Sequence, residues 1–399
     1  MTELVKSYPN ATVDVRCVPI AQWHDQIFTD FAAKGGADLV ILDSQFIGEA
    51  VVGGHILDLT DWAKSNLNLS DFVPAALTAY GEYPPGSGKI VGLPAITDTH
   101  MLIYRKDLYN DPTVQADYKA ATGMDLKVPT TWDELLKQAQ FFKNSNGKYG
   151  VKNGYSAIWI GKGGYDEVAT QVNQILWSFG GELWDPKTYK VEGVLNSDTN
   201  AKALAFAAEL FKTSPDGAGN FSFNEMIGAM CDGSTAIGNV WFAFGATFID
   251  KTACKEADNL GFGVVPGETK HVLSLGGQGL HISSYSKNPD AAKDFIKWFE
   301  SPEVQLEWAK LGGQPGRKDT LASETYLNAT PYNKYFAESY PLTKDFWNLP
   351  EYAQMLPITQ EYYNLAVTGQ MDPKQALDEI ASEQQAILDK AYPNGPPSQ

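Results

Sequence analysis

The sequence has few basic residues, few cysteines and histidines, and no long apolar run. Of its 399 residues, 31 are lysine or arginine and 48 are aspartate or glutamate, which gives a formal net charge of −17. So acidic a chain repels phosphate groups, and this disfavours nucleic acids and anionic membrane surfaces as partners. No stretch approaches the roughly 18 apolar residues that a membrane-spanning helix needs. We therefore expect an acidic globular protein.

Catalytic and metal-binding motifs are also missing. The chain contains no Gly-x-Ser-x-Gly, no His-Glu-x-x-His and no phosphate-binding P-loop, and its five histidines are scattered. No metal ion and no cofactor is therefore expected, and the absence of motifs favours binding over catalysis. The 48 carboxylates nevertheless include many possible acid–base pairs. A glycoside hydrolase with two catalytic carboxylates is the alternative function.

Three cysteines are present, and they predict two different environments. Cys17 lies in the alternating segment Val13–Val18, which predicts a strand and a buried, inert thiol. Cys231 and Cys254 are 23 residues apart at the edges of an apolar segment, and either form a disulfide or remain two free core thiols. A disulfide would stabilise the fold by roughly 3–4 kcal/mol through loop closure and would indicate an oxidising compartment.

The hydrophobic pattern alternates between strand and helix, which predicts an α/β fold with a parallel sheet covered by helices. Met1–Tyr8 resembles the end of a helix, so we expect that residues are missing upstream. Capping motifs at Thr131–Glu134, Ser301-Pro302 and Asp372-Pro373 predict helix starts. The other predicted elements are strands at Ala37–Leu42, Ile90–Pro94, His100–Arg105, Leu260–Val265 and His271–Ile282, and helices at Gln22–Ala33, Tyr165–Phe179, Thr199–Lys212 and Asp290–Phe299.

Short extended segments are candidates for the places where the chain crosses between two lobes. Ala95–Thr99 is the strongest candidate, and Glu268–Leu275 and Gln314–Thr320 are weaker ones. The predicted N-terminal lobe is residues 1–97 and 273–318, and the predicted C-terminal lobe is residues 98–272 and 319–399. A cleft between two lobes is a preferred place for a ligand.

Aromatic residues beside hydrogen-bonding side chains near predicted strand ends suggest sugar recognition. A sugar ring packs its C–H face on Trp or Tyr, while its hydroxyls need paired donors and acceptors. The candidate ligand residues are Asp43, Ser44, Gln45, Asp98, His100, Trp177, Trp241, Gly277, Gln278 and Arg317.

Most of these candidates also have an ordinary structural explanation. Asp43 can be a helix cap followed by a surface Gln45, and Asp98 a structural hinge carboxylate. The two tryptophans can be core residues, and Gly277 can mark a bulge in a strand. Arg317 can form a salt bridge between lobes instead of binding a ligand hydroxyl.

Seven motifs occur in a specific order and spacing: Ala37–Gln45, His55–Asp61, Gly92–Pro94 with Leu102–Leu108, Pro129–Glu134, Trp177–Gly181, Ala292–Phe299 and Gly312–Lys318. Together they resemble the bacterial extracellular solute-binding proteins of the maltose-binding type, which serve sugar ABC transporters. The resemblance runs from near residue 1 to about residue 392. By motif, it assigns ligand contacts to Ser44, Gln45, Asp98, Trp241, Gly277, Gln278 and Arg317.

The resemblance implies a periplasmic-binding-protein-like fold, with two α/β lobes joined by crossing segments around a ligand cleft. It implies a non-enzymatic monomer in the periplasm or on the extracytoplasmic cell surface. Such a protein captures a sugar, glycoside or polyol by hinge closure and delivers it to the permease subunits of an ABC importer. Family members typically have a strand and loop before a helix like the one predicted at Met1–Tyr8, and we expect that element to be missing from this sequence.

Overall fold

The computed structural model describes residues 12–162, 165–346 and 348–396, so the helix end predicted at Met1–Tyr8 lies outside the described residues. The chain divides into two compact units. Unit 1 contains the described residues of Met1–Asp98, Gly276–Asn333 and Trp347–Tyr352. Unit 2 contains those of Thr99–Leu275, Lys334–Phe346 and Ala353–Gln399.

The described residues form seven strands and a larger number of helices. The strands are β1 Leu39–Leu42, β2 Leu93–Arg105, β3 Asn153–Ser156, β4 Thr235–Trp241, β5 Leu260–Val264, β6 Leu273–Ile282 and β7 Thr343–Lys344. The helices are α1 Trp23–Ala32, α2 Ser44–Val52, α3 Thr60–Asn66, α4 Pro74–Ala76, α5 Lys106–Asn110, α6 Pro112–Thr122, α7 Trp132–Asn144, α8 Glu167–Ser178, α9 Asp198–Phe211, α10 Phe223–Cys231, α11 Gly245–Ile249, α12 Pro289–Phe299, α13 Pro302–Lys310, α14 Lys318–Ala322, α15 Glu324–Leu327, α16 Asn333–Ser339, α17 Tyr352–Val367 and α18 Pro373–Ala391.

Unit 1 is built on β1, β6 and the first half of β2. Strand β1 pairs antiparallel with β6, with Leu39 opposite Ile282, and β6 lies between β1 and β2 in the sheet order. The amphipathic helix α12 packs its apolar side on this sheet because Ala292 and Ile296 face inward. The core they join is Leu59, Ala63, Phe72, Ile90, Leu93, Ala95, Leu280, Ile282, Ala292 and Ile296.

Unit 2 is built on the second half of β2. Strand β2 pairs antiparallel with both β4 and β5, while β3 runs parallel to β4 and β7 runs parallel to β6. Helix α7 packs against β3, α10 packs against β4, and α9 contacts both α8 and α18. Helix α7 begins where predicted because the Thr131 side chain accepts a hydrogen bond from the Glu134 backbone N–H.

Three expectations about the elements were wrong. The sheet is mixed, not parallel. The sequence pattern did not indicate this, because apolar periodicity shows which face of a strand is buried and not the direction of the strand. The two strands predicted around Ala95–Thr99 are one continuous strand, β2. The segment Val13–Val18 is not a strand, since no other described strand pairs with it, and both Cys17 and Val15 are exposed.

The division into units differs from the predicted lobes mainly at the third crossing. The chain passes from unit 1 to unit 2 after Asp98, returns after Leu275, and crosses again after Asn333. The predicted crossing at Gln314–Thr320 lies inside unit 1. Buried Arg317 in this segment forms ion pairs with Asp71 and Asp319 of the same unit.

Candidate functional site

The turn after β1 in unit 1 combines a helix cap with a buried amide. Asp43 caps α2, its Oδ1 accepting from the Gln45 backbone N–H at 3.4 Å, and Ser44 donates to the same carboxylate at 3.4 Å. The cap agrees with the structural explanation, but Gln45 is buried instead of lying at the surface, and its Nε2 has no hydrogen-bond partner. A buried amide without a partner costs about 1–3 kcal/mol, so Gln45 is a candidate to bind a polar ligand group.

Asp98 is buried at the point where β2 leaves unit 1. Burial raises the pKa of Tyr326 well above its ordinary value, and the nearby Tyr332 and Asp98 add smaller effects in the same direction. The Tyr326 hydroxyl donates to Gln314 Oε1 at 2.7 Å, and the Thr97 hydroxyl donates to the Gln314 carbonyl at 3.0 Å. Asp98 therefore lies near a hydrogen-bonded polar group within unit 1.

Gly277 and Gln278 lie on β6 in unit 1. Gly277 has a φ of +120°, and a Cβ atom there would lie 2.2 Å from the carbonyl oxygen of Ile96 on β2. Glycine is therefore required by the close approach of two strands, and contact with a ligand is not needed to explain it. Gln278 next to it is half-buried.

Arg317 is fully engaged inside unit 1. Its Nε and Nη2 donate to the two carboxylate oxygens of Asp319 at 3.0 and 2.7 Å, and Nη2 also donates to Asp71 at 3.0 Å. Its Nη1 donates to the Glu300 carbonyl at 3.0 Å. Because all three nitrogens have acceptors within the same unit, the structure supports neither a ligand clamp nor a salt bridge between lobes at this residue.

In unit 2, His100 and Trp241 form a contacting pair. They are register partners on β2 and β4, and their ring centroids lie 4.0 Å apart with the planes tilted by 58°. Trp241 is 8% exposed and His100 is wholly buried. Burial lowers the pKa of His100 to about 3, so its imidazole is neutral at physiological pH.

Trp177 on α8 is a core residue and not an open stacking platform. Its side chain is 1% exposed, and the Lys344 ammonium lies over the ring, 5.2 Å from the centroid. Lys344 also pairs with Glu182 of the same unit. Because the ring is almost fully buried and a cation lies over it, Trp177 has no open face for a sugar in this structure.

Glu167, at the start of α8, is a buried carboxylic acid that no sequence motif indicated. Glu167 is 4% exposed, one of its carboxyl oxygens accepts from the Ser222 hydroxyl at 3.5 Å, and the other is buried without a hydrogen-bond partner. Burial raises the pKa of Glu167 above its ordinary value. A signal was available, since all twelve residues of α8 are buried although Glu167 is its only charge and five others are Thr, Gln, Asn or Ser.

Cys231 and Cys254 form a disulfide within unit 2, with a Cα–Cα distance of 4.5 Å. The bond ties the end of α10 to the loop before β5. Of the two alternatives that the sequence leaves open, the structure has the bridge, and Cys17 is the free cysteine.

Two surface cavities of unit 2 do not include the predicted residues. One of them, of about 460 Å³, lies between α9 and α17, where Lys143 and Asn364 already donate to the backbone carbonyls of Ser214 and Gly219. Within residues 12–162, 165–346 and 348–396, no group of three or more His, Cys, Asp or Glu side chains is arranged to hold a metal ion. None of the helices described above has the length and apolarity to cross a membrane.

Comparisons with known proteins agree on one family. The family model described as "Bacterial extracellular solute-binding protein" matches residues 1–306. The mannitol-binding protein of Pseudomonas aeruginosa is 26% identical over 381 residues, covering 88% of this chain and 80% of that protein. A probable amino-acid ABC transporter periplasmic-binding protein of Sinorhizobium fredii is 25% identical over 307 residues, covering 75% of this chain and only 64% of that protein.

A solved structure gives the same result for the fold. The maltose-bound MalE3 protein of T. maritima superposes with a TM-score of 0.80 at 25% identity, covering 97% of this chain and 94% of that chain. The two-lobed α/β architecture expected from the sequence is therefore confirmed.

Proposed function

The chain belongs to the bacterial extracellular solute-binding protein family, and from this premise we propose that it is the substrate-binding component of an ABC importer for an uncharged sugar or polyol. The family is one of binding proteins, which argues against the glycoside hydrolase alternative. The relatives named for mannitol and maltose support the ligand class.

The assignment of an uncharged ligand rests on one observation, which is that the guanidinium group of Arg317 already has hydrogen-bond acceptors within the protein. A carboxylate or phosphate ligand needs a cationic partner or several backbone N–H groups, and Arg317 is the cation that the sequence offered. Its nitrogens are already used by Asp71, Asp319 and the Glu300 carbonyl. An uncharged, hydroxyl-bearing ligand needs no such cation, so it fits better than the amino acid that the name of one relative suggests.

Each unit contains candidate ligand contacts. In unit 1 they are Asp43, Ser44, Gln45, Asp98 and Gln278, and in unit 2 they are Trp241 and Glu167. The carboxylates and amides are suited to ligand hydroxyls, and the Trp241 ring is suited to the C–H face of a sugar or polyol.

We further propose that the protein acts outside the cytoplasmic membrane, as a monomer, and delivers its ligand to permease subunits. The disulfide between Cys231 and Cys254 supports this location, because such bonds persist in oxidising compartments.

Isothermal titration calorimetry with D-mannitol, maltose and an amino-acid mixture tests the proposal. We expect one-to-one binding of a sugar or polyol and no heat from the amino acids. Trp241→Ala is expected to weaken binding more than tenfold, because it removes the stacking face. The control Trp298→Ala changes a half-buried tryptophan on α12 and should bind like the wild type. Binding of amino acids alone would contradict the ligand class.

A further inference from the structure

The contact between His100 and Trp241 places a wholly buried polar ring directly against the proposed stacking platform. Because the two residues are opposite each other on antiparallel strands, their side chains lie on the same face of the sheet. The short ring separation of 4.0 Å leaves the indole little freedom to turn toward the imidazole. The orientation of Trp241 is thus limited by a neighbour that is itself wholly buried.

A chain of buried amides lies next to His100. The Gln174 side chain on α8 lies beside the imidazole, and its Nε2 donates to Gln171 Oε1 at 3.2 Å. Gln171 Nε2 in turn donates to the Asn239 carbonyl of β4, two residues before Trp241, at 3.5 Å. The amides therefore link α8 to the strand that carries the platform.

A histidine that only filled space at position 100 would cost the protein folding free energy. Both ring nitrogens are buried without a hydrogen-bond partner, as is Gln174 Oε1. An aliphatic side chain would avoid the desolvation of those polar atoms. Unlike a flexible aliphatic chain, however, the rigid planar imidazole provides a fixed surface on which the Trp241 indole packs.

We propose that His100 is a positioning residue that fixes the orientation of the Trp241 ring and thereby increases the affinity of the site for its ligand. This inference rests on the proposed function, because the platform matters only if a ligand stacks on it. A fixed ring binds more tightly than a mobile one because less conformational entropy is lost on binding.

A double-mutant cycle tests the coupling, with D-mannitol and maltose as the titrated probes. His100→Ala is expected to weaken binding about tenfold, and Trp241→Ala at least as much. The double variant should bind no worse than Trp241→Ala, because without the platform there is nothing to position. Independent losses that add in the double variant would overturn the inference.

A spectroscopic measurement separates positioning from a general loss of stability. In protein labelled with 5-fluorotryptophan, the ¹⁹F resonance of Trp241 is assigned by its disappearance in Trp241→Phe. We expect His100→Ala to shift or broaden that resonance, and His100→Asn, which keeps a small neutral polar group, to do the same. The control His281→Ala removes another wholly buried histidine, from unit 1, and should leave the resonance and the affinity unchanged.

The outcomes distinguish the two proposals. If the wild type binds neither probe nor any other sugar or polyol, the proposed function fails and the inference fails with it. If the wild type binds, but His100→Ala and His100→Asn bind equally well and leave the Trp241 resonance unchanged, the inference alone is overturned.

Discussion

At the scale of single residues, Glu300 has a carboxyl group in an environment that disfavours its charged form. It is 1% exposed, and neither carboxyl oxygen has a hydrogen-bond partner. Burial raises the pKa of Glu300 well above its ordinary value, although nearby Arg317 opposes the change. Because the pKa in the folded protein is above that in the unfolded chain, stability is lost as the pH rises above about 4.5.

Glu300→Gln is therefore expected to stabilise the protein at pH 8. The amide has nearly the same shape and carries no charge, so the gain should be roughly 1–2 kcal/mol, and it should shrink toward pH 4. Urea unfolding at both pH values measures it. The exposed neighbour Glu303 gives a control, Glu303→Gln, that should change little. A less stable Glu300→Gln at pH 8 would mean that the carboxylate is charged and well paired with Arg317.

At the scale of elements, the disulfide is expected to stabilise unit 2 by lowering the conformational entropy of the unfolded chain. Cys231 and Cys254 are 23 positions apart, and closing a loop of that length corresponds to about 3.5 kcal/mol in the chain-entropy model. Reducing agent should lower the melting temperature of the wild type and leave that of the Cys231→Ser/Cys254→Ser variant unchanged. Three reactive thiols in the unfolded, unreduced protein, instead of the one at Cys17, would show that the bridge does not form.

Gly277 should be intolerant of a side chain because of the strand it lies against. Gly277→Ala combines a positive φ with a Cβ placed 2.2 Å from the Ile96 carbonyl oxygen, so β6 or β2 must move. We expect a loss of about 3 kcal/mol in the free energy of unfolding. Gly123→Ala is the matched control, with a φ of +75° but open space, and should cost about 1 kcal/mol. Equal losses would show that only the backbone conformation matters at Gly277.

Helix positions could be predicted from the sequence because caps and apolar stripes are local signals. The Asp372 side chain caps α18 by accepting from two backbone N–H groups, as the Asp-Pro pair indicates. Strand direction, the continuity of β2 and the exposure of Cys17 could not be predicted, since each depends on which distant strand supplies a partner.

The site was predictable only in part for the same reason. Trp241 beside His100 follows from their register across β2 and β4, which sequence spacing does not encode. The acceptors that engage Arg317 include Asp71, 246 residues away in the chain, and no local pattern indicates them. The burial of Glu167 follows from the packing of the whole helix α8.

At the scale of the whole molecule, two buried histidines predict sensitivity to acid. Burial lowers the pKa of His100 in unit 2 to about 3, and that of His281 in unit 1 to about 4, from 6.5. The unfolded chain therefore binds more protons below pH 6.5, so the stability present above that pH is lost as the pH falls. Each histidine should contribute about 1.4 kcal/mol per pH unit between pH 6 and pH 4.

Urea unfolding of the wild type and of His281→Gln across this range measures the effect. The variant is expected to have a shallower loss of stability, by about one proton, than the wild type. Buried Glu300 acts in the opposite direction, so the comparison between variants is more informative than the total slope. Identical slopes would mean that His281 is protonated in the folded protein or is not buried.

The central claim, that this protein binds an intact uncharged sugar or polyol, is tested most directly by native mass spectrometry. The purified protein is measured after unfolding, refolding and incubation with D-mannitol, maltose and related sugars and polyols, one at a time. We predict a one-to-one complex with the mass of an unmodified panel member, and recovery of that molecule intact. Cleaved glycosides, or folded protein that binds no member of the panel, would contradict the account.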